Sequence, residues 1–190
     1  MPRPTKQQIE DEILETAAAL FARHGFKETS VQRVADAVGY SKTGLLHRFP
    51  SKEALQEAVI ERALADLRAI SAEAAALPVG PERDRVVITG VAQLALDRPG
   101  AVALLLSSLT SAPEGETLHQ FGEAVFAAFG IAGDPACVTE HDLPRMIRIV
   151  GALGAVAVTS VAMHDKLTPV ALADIVEVSY DALGHERPKK

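Results

Sequence analysis

Cysteine and aromatic residues are scarce in this chain of 190 residues, and each scarcity excludes a class of protein. Cys137 is the single cysteine, so an internal disulfide framework is impossible and a reducing cytoplasm is the expected location. Aromatic residues make up 4% of the chain, and alanine and leucine dominate its apolar residues, which favours helices over sheets. Because 48% of the residues are hydrophobic, the chain is expected to bury a core rather than to be disordered.

The sequence also lacks a run of apolar residues long enough to span a membrane. Its N-terminal stretch, MPRPTKQQIEDEIL, contains no apolar signal core. The longest uncharged apolar run, residues 149–163, has 15 residues, whereas a span needs about 20. We interpret this run as a buried helix and predict no membrane partner.

Patterns typical of catalysis or metal binding are missing as well. No G-x-S-x-G, Walker or dinucleotide-binding motif occurs. The six histidines form no cluster with metal-ligand spacing, and the C-x3-H-D sequence at Cys137, His141 and Asp142 is by itself a poor metal site. We therefore predict no enzyme activity, no metal and no cofactor, although an enzyme or carrier built on the C-terminal half remains an alternative.

Positive charge is concentrated in one short part of an acidic protein. The whole chain has a net charge of −6, and all of that excess lies in residues 61–190, which hold eleven basic and seventeen acidic side chains. Residues 23–52 instead carry six basic and two acidic side chains, a net charge of +4. Such a patch can meet phosphate even on an acidic protein, because salt confines the interaction to roughly 8 Å. A solvated helical face is the alternative that charge alone leaves open.

The spacing of apolar residues predicts helices at both ends of this patch. A first helix is expected from Thr5 to His24, with Gly25 ending it in a left-handed conformation. A second helix is expected to follow Thr29, which would cap it in a capping box with Gln32, and to end at Gly39.

A third, short helix is expected between Ser41, a good N-cap, and Pro50. It would bury Leu45 and Phe49 and expose Lys42, Thr43, Gly44, His47 and Arg48. Two helices joined by a short glycine turn form a helix-turn-helix arrangement, whose second helix fits the major groove of DNA.

The remaining chain alternates helical patterns with breakers, and no strand-like alternation persists. Ser51 is expected to cap a long fourth helix that runs to about Leu77 and links two domains. The fold class predicted is all-α, with a three-helix bundle carrying the helix-turn-helix at residues 1–50 and a larger helical domain at residues 51–184. Residues 185–190 are expected to be a disordered tail.

Residues 9–60 closely resemble the DNA-binding domain of the TetR family of bacterial transcriptional regulators. The resemblance is carried by A-x-x-L-F-x-x-x-G-F in the first helix, T-S-V-x-x-V-A in the second, and S-K-x-x-L followed by F-P-S-K-E-A-L. It implies a homodimer that binds a palindromic operator and is usually released from DNA by a small effector held in the C-terminal domain. An activator, or a DNA-binding protein without an effector, remains open.

The resemblance also implies roles for individual residues. Lys42, Thr43 and Gly44 correspond to positions at base edges, Gln32 to a position that sometimes reads a base, and Thr29, Ser41 and Lys52 to positions that hold phosphates. The family usually has a tyrosine where this chain has Leu46, and often a histidine where it has Arg48. Because arginine can contact phosphate or guanine in a bidentate manner, we hypothesise that the phosphate contact has moved from residue 46 to residue 48.

Two further surfaces are predicted in the C-terminal half. The effector is expected to be small and apolar, since the candidate pocket walls are mainly aliphatic. Plain core packing is the alternative for each wall residue. Pocket candidates are Gln93, Leu94, Leu105, Ser108, Leu109, His119, Phe121, Val125, His141, Met146, Arg148 and Ile149.

Small and apolar residues predict a four-helix dimer interface, with intramolecular core as the alternative. Interface candidates are Gly151, Gly154, Ala155, Val158, Ile175 and Val178.

Overall fold

The computed structural model describes residues 5–111, 116–131, 142–163 and 169–185, and all regular structure in these ranges is helical. The all-α prediction is therefore confirmed. The helices are α1 Lys6–His24, α2 Val31–Ala37, α3 Lys42–Arg48, α4 Lys52–Ala74, α5 Pro81–Asp97, α6 Pro99–Ser111, α7 Glu116–Ala128, α8 Leu143–Ala162 and α9 Pro169–Ala182.

Helix α1 begins and ends where its sequence predicts. Thr5 caps it: its side chain accepts from the Gln8 N–H at 3.2 Å, and the Gln8 side chain accepts from the Thr5 N–H at 2.8 Å. This reciprocal pair satisfies two N–H groups that the first turn would otherwise leave unpaired. At the other end Gly25 adopts a positive φ of 79°, a backbone conformation that residues with a side chain rarely adopt. The face between the caps buries Ile13, Leu14, Ala17, Ala18 and Phe21.

The predicted capping box of α2 is wrong by one residue. Ser30, not Thr29, is the N-cap, and its Oγ accepts from the Arg33 N–H at 3.1 Å. The Gln32 amide donates instead to Asp36 Oδ1 at 2.6 Å. Both Thr29 and Ser30 are residue types that cap helices, so their order in the sequence does not distinguish them.

The turn between α2 and α3 and the stop after α3 are as predicted. Gly39 adopts φ 71°, and Ser41 caps α3 by accepting from the Gly44 N–H at 3.0 Å. Ser51 caps α4 by accepting from the Ala54 N–H at 3.0 Å. Helix α4 ends at Ala74, three residues before the predicted end at Leu77.

Two compact units make up the chain, and the first contains the helix-turn-helix. It runs through residue 63, in the first half of α4, and also includes α6. Its core joins side chains from α1, α2, α3 and α4, with α6 packed on α1. The two units divide within α4, the helix that was expected to link the two domains. The core side chains include Ile13, Phe21, Val34, Leu45, Leu55 and Val59.

The second unit holds α5, α7, α8, α9 and the end of α4, with α5 packed on both α8 and α9. A buried carboxylate ties three of its segments together. Asp84, near the start of α5, accepts from both terminal nitrogens of Arg145 at 3.1 and 3.0 Å and lies 2.8 Å from His185 Nε2. Nearby, Arg83 donates to the carbonyl oxygens of Ala127 and Ala128 at the end of α7.

Helix α8 is amphipathic rather than wholly buried, which corrects the interpretation of residues 149–163 as a buried helix. One face buries Met146, Ile149, Ala152, Val156 and Ser160. The other face exposes large apolar side chains. By length and composition alone α8 could cross a membrane, but a single helix of this kind is weak evidence for a membrane protein.

Candidate DNA-binding site

One side of helix α3 packs against the rest of the first unit, and its other side faces solvent. Leu45 is completely buried and Phe49, directly after the helix, is nearly so. The Tyr40 N–H donates to the Ala35 carbonyl at 2.8 Å, which fixes the turn that leads from α2 into α3. A short helix anchored in this way keeps its outer face in a fixed orientation, which reading the edges of bases requires.

Three side chains that the sequence predicted to be exposed on this helix lie free on its outer face. Lys42, Thr43 and His47 are exposed, and no other described residue holds them in a hydrogen bond or ion pair. Thr43 and His47 are four residues apart and therefore project from the same side of the helix. Together they offer an ammonium, a hydroxyl and an imidazole, groups that can donate to base and phosphate acceptors in the major groove.

Gly44 has little room for a side chain, although it lies at the edge of this surface. A Cβ at this position would come within 3.1 Å of Ser41 Oγ and 3.9 Å of the Tyr40 ring. Ser41 is itself exposed, but its hydroxyl already accepts the Gly44 N–H. Glycine therefore leaves the cap of α3 undisturbed and allows another molecule to approach the backbone closely.

Arg48 is partly exposed at the end of α3 and lies near an acidic residue of α1. Its Nη1 is 3.9 Å from Glu10 Oε2, and both side chains are reachable by water. An exposed pair at this distance is worth little, so Arg48 remains available to a phosphate. Leu46 is half-buried and offers no polar group.

Lys52 has a structural contact that its sequence position does not reveal. Its ammonium donates to the carbonyl oxygens of Phe26 at 2.9 Å and Lys27 at 3.3 Å, and it lies 4.3 Å from the centre of the Phe26 ring. The ammonium has three N–H groups, and the two carbonyl oxygens account for only two of them. One N–H is left for a phosphate, so the predicted contact between Lys52 and phosphate stays a prediction.

Thr29 is the predicted contact that the structure does not support. Its side chain is 1% exposed, and its hydroxyl donates to the carbonyl oxygens of Leu20 and Gly25. The hydroxyl therefore fixes the turn after α1 and cannot reach a phosphate. Ser30 and Gln32 are exposed at the same end of α2, and Gln32 keeps a place in the candidate site although Asp36 binds its amide.

The predicted pocket residues fall in different places. Phe121, Met146 and Ile149 are buried in the second unit, where Leu94 and Val125 are half-buried. Leu105 is half-buried but lies on α6, in the first unit. The side chains of Ser108 and Leu109, and the whole of His141, lie outside the described part of the structure.

The polar pocket candidates that are described lie at the surface. Gln93 is exposed and donates to Asp97 Oδ1 at 3.1 Å, and His119 is exposed 3.5 Å from Glu123 Oε1. Arg148 is exposed, and its guanidinium covers the position that a side chain at Gly184 would need. None of the three has the burial that an enclosed pocket requires, so these pocket assignments gain no support.

The predicted interface residues lie on α8 and α9, and most of them are accessible. Val158 and Val178 are 56% and 65% exposed, Gly151 is exposed, and Gly154 and Ala155 are half-buried. Ile175 is 7% exposed, so it packs within its own chain and its assignment to the interface is corrected. Missed by the sequence reasoning were the exposed α8 residues Leu143, Ile147, Val150 and Val161.

Acidic and histidine side chains do not gather into a metal site within the described ranges. No group of three or more His, Cys, Asp or Glu residues there has the geometry to hold an ion. Cys137 and His141 lie outside those ranges, so the C-x3-H-D sequence has no structural test.

Known proteins match the part of the chain that carries this site. Residues 13–59 match the model of the family described as bacterial regulatory proteins, tetR family. The HTH-type transcriptional regulator RutR of Escherichia coli strain K12 is 46% identical over 52 residues, which are 27% of this chain and 24% of that protein. The HTH-type transcriptional repressor KstR2 of Rhodococcus jostii is 41% identical over 56 residues, 30% of this chain and 28% of that protein. The match thus spans only about a quarter of the curated relatives.

Solved structures resemble the chain over nearly its whole length. The TetR family transcriptional regulator PfmR from Thermus thermophilus has a TM-score of 0.60 at 25% identity, covering 98% of this chain and all of that one. AmtR of Mycobacterium smegmatis has a TM-score of 0.65 at 24% identity, covering 99% and 92%. Residues 13–59 are thus similar in sequence to the tetR family of bacterial regulatory proteins, and the chain is similar in fold, along nearly its whole length, to a solved regulator of that family.

Proposed function

We propose that this protein is a cytoplasmic transcriptional regulator that binds double-stranded operator DNA as a homodimer, and that it is a repressor released by a small apolar effector. The observation that carries the proposal is the outer face of α3, where Lys42, Thr43 and His47 are exposed while Leu45 and Phe49 hold the helix down. The RutR and KstR2 matches, one named as a regulator and one as a repressor, support the same assignment.

The chemistry of this face suits the major groove of B-DNA. Lysine donates to the O6 and N7 acceptors of guanine, and the threonine and histidine side chains can both donate and accept. The net charge of +4 over residues 23–52 favours approach to phosphates, while the acidic remainder is screened within roughly one Debye length. We expect Lys42, Thr43, Gly44 and His47 to supply sequence preference and Arg48 to supply affinity.

A homodimer is supported by the exposed face of α8. We name this face the α8 stripe and define it as Leu143, Ile147, Val150, Val158 and Val161. The spacings of three, four and eight residues place these side chains along one side of a helix, and Val178 of α9 is exposed as well. Burying such a face against a second copy would remove apolar surface from water. Dimer symmetry would then present two α3 helices to half-sites about 34 Å apart.

Release by an effector follows from the need to engage both half-sites at once. An effector that binds the released conformation better by a few kcal/mol would shift the population away from DNA. Leu94, Phe121, Val125, Met146 and Ile149 are apolar and buried or half-buried in the second unit, so a ligand held among them would have to be apolar.

Selection of DNA by the wild-type protein tests the proposal. The protein would be incubated with random-sequence duplexes, and bound DNA would be amplified, sequenced and used in fluorescence anisotropy titrations. We expect an inverted repeat, and we expect Lys42→Ala and Thr43→Ala each to weaken its binding about tenfold or more. Arg68→Ala, which removes a positive charge on α4 outside the site, is the matched control.

The outcomes separate the function from its alternatives. Failure to enrich any sequence would reject the DNA-binding function. A thermal-shift screen with metabolites tests the effector, because a ligand that binds the folded protein stabilises it. Firm operator binding with no stabilising or releasing metabolite would favour a regulator without an effector, and transcription that increases with the protein would favour an activator.

A further inference from the structure

Helix α6 is capped by a side chain from α1. Glu15 Oε1 accepts the backbone N–H of Gly100, the second residue of α6, and the N–H of Ala101 also interacts with this carboxyl group. An N-cap residue usually satisfies the N–H groups of these positions from within the same chain segment. In this protein the cap comes from 85 residues earlier in the sequence, so it joins two helices.

The start of α6 lies so close to the backbone of α1 that only glycine fits at residue 100. A Cβ there would lie 2.6 Å from the carbonyl oxygen of Glu15 and 2.9 Å from the backbone nitrogen of Ala19. Both atoms belong to the backbone of α1, so they cannot move aside as a flexible side chain would. Any larger residue must therefore push the start of α6 away from α1.

A second acidic residue, one turn earlier on α1, reinforces the same joint. Asp11 Oδ1 lies 3.5 Å from Arg98, the residue before α6, and 3.5 Å from Arg62 of α4. Arg98 is the more buried of the two arginines. Helix α1 therefore meets the start of α6 through Glu15 and Asp11, and meets α4 through Asp11.

Stability alone does not explain the position of Glu15. Its Oε2 is buried and receives no hydrogen bond from any described residue, and burial raises the pKa of the carboxyl group. A carboxylate placed in this way costs free energy that an apolar residue would not. Buried charged groups of this kind can instead fix one arrangement of the helices they join.

Helix α1 connects this contact with α6 to helix α3. Helix α6 belongs to the first unit, but it is connected on one side to α5 and on the other side towards α7, both of the second unit. Helix α1 in turn shares a core with α3 through Ala17, Phe21 and Leu45. Within the first unit, a displacement of α6 against α1 would therefore reach α3 through this shared core.

We propose that Glu15 and Gly100 are positioning residues that set the placement of α1 and α3 against α6, and thereby the distance between half-sites that the dimer accepts. This inference rests on the proposed function. Neither residue is proposed to contact DNA. Substituting either residue should weaken binding to two paired half-sites but should not weaken binding to a single half-site.

Operator spacing tests the inference directly. The probes are the duplex selected by the wild-type protein, the same duplex with one half-site scrambled, and duplexes with one base pair added or removed between half-sites. For Glu15→Ala and Gly100→Ala we expect affinity for the selected duplex to fall at least about fivefold. Their affinity for the single half-site should stay unchanged, and their preferred spacing should shift by a base pair or broaden. The control is Glu12→Ala, an exposed acidic residue of the same helix.

Each outcome decides the inference. The same spacing preference in the wild type and both variants would overturn it, even with the DNA-binding function intact. An equal loss on paired and single half-sites would also overturn it, because the residues would then only maintain the fold. If Gly100→Ala does not fold, Glu15→Ala carries the test. Selection of no DNA by the wild type would reject both the inference and the proposed function.

Discussion

Lys52 binds the backbone at Phe26, donating from its ammonium group to the carbonyl oxygen at 2.9 Å. The contact joins the first residue of α4 to the turn after α1, across 26 positions of sequence. The same ammonium lies over the Phe26 ring, whose centre is 4.3 Å away, and that ring contacts Phe21 of the core. The start of α4 and the turn before α2 are therefore held together next to the helix-turn-helix.

Replacing Lys52 by methionine should destabilise the first unit while keeping most of the apolar stem. We expect a loss of about 1–2 kcal/mol, because two carbonyl oxygens lose a charged donor and part of a cation–π contact is lost. Urea unfolding followed by circular dichroism measures it, with Lys27→Met, whose side chain is exposed, as the control. Equal stability of the two variants would contradict the structural role.

The local signals in the N-terminal part were sufficient to predict most of its structure. Thr5, Gly25, Gly39, Ser41 and Ser51 act at helix ends through contacts within a few residues, so a cap or a positive φ can be inferred from residue type and spacing. The exception was the start of α2. There two capping residues are adjacent, and the burial that turns Thr29 inward depends on packing against α1.

Contacts between distant segments account for what the sequence did not predict. Gly100 lies in an ordinary helical pattern, and nothing near it in the sequence indicates that α1 approaches its backbone. Similarly, the hydropathy of α8 shows that the helix is apolar but not which side faces its own chain. Ile175 and Val178 are both apolar residues of α9, yet one is buried and the other exposed.

Arg48→Ala should reduce the salt dependence of operator binding. If Arg48 holds one phosphate, the log–log slope of affinity against salt concentration should become less steep by about 0.9, since one fewer counterion is released. Anisotropy titrations across a range of salt concentrations give the slope, and Arg68→Ala should leave it unchanged. A wild-type slope in Arg48→Ala would show that the phosphate contact has not moved from residue 46 to residue 48.

A glutamate in the α8 stripe should prevent dimer formation. Ile147 is 61% exposed, so Ile147→Glu should leave the fold of the single chain intact while placing a charge in the proposed interface. Sedimentation at micromolar concentration should show a dimer for the wild type and a monomer for the variant. Thr89→Glu, which adds the same charge at an exposed site on α5, should remain dimeric. A monomeric wild type would reject the interface.

Glu15→Gln should change how stability depends on pH. Burial raises the pKa of Glu15, although the N–H groups of Gly100 and Ala101 and the charge of Arg98 partly oppose this. The folded protein therefore binds this proton more tightly than the unfolded chain. The contribution of Glu15 to stability is full below the unfolded pKa and is lost as the pH rises through the raised folded pKa.

The glutamine keeps an oxygen that can accept the Gly100 N–H, but it does not titrate. The variant therefore does not lose stability from this position as the pH rises. The melting temperature of Glu15→Gln relative to the wild type should therefore rise as the pH increases from about 4 to about 7. Glu12→Gln, at an exposed site, should show no comparable rise. A difference that is flat or falls over this range would contradict the raised pKa.

Removal of the Asp84 carboxylate should destabilise the second unit more than any exposed substitution. The side chain is completely buried, and it is bound by Arg145 through two hydrogen bonds and by His185 through one contact. Asp84→Ala leaves the guanidinium without its carboxylate, and breaking a buried pair from one side costs about 3–5 kcal/mol. Thermal and urea unfolding measure the loss, and Glu82→Ala, two residues earlier and exposed, is the control. A loss no larger than that of the control would mean that water or neighbouring groups replace the carboxylate, and that Asp84 does not hold α5 to α8.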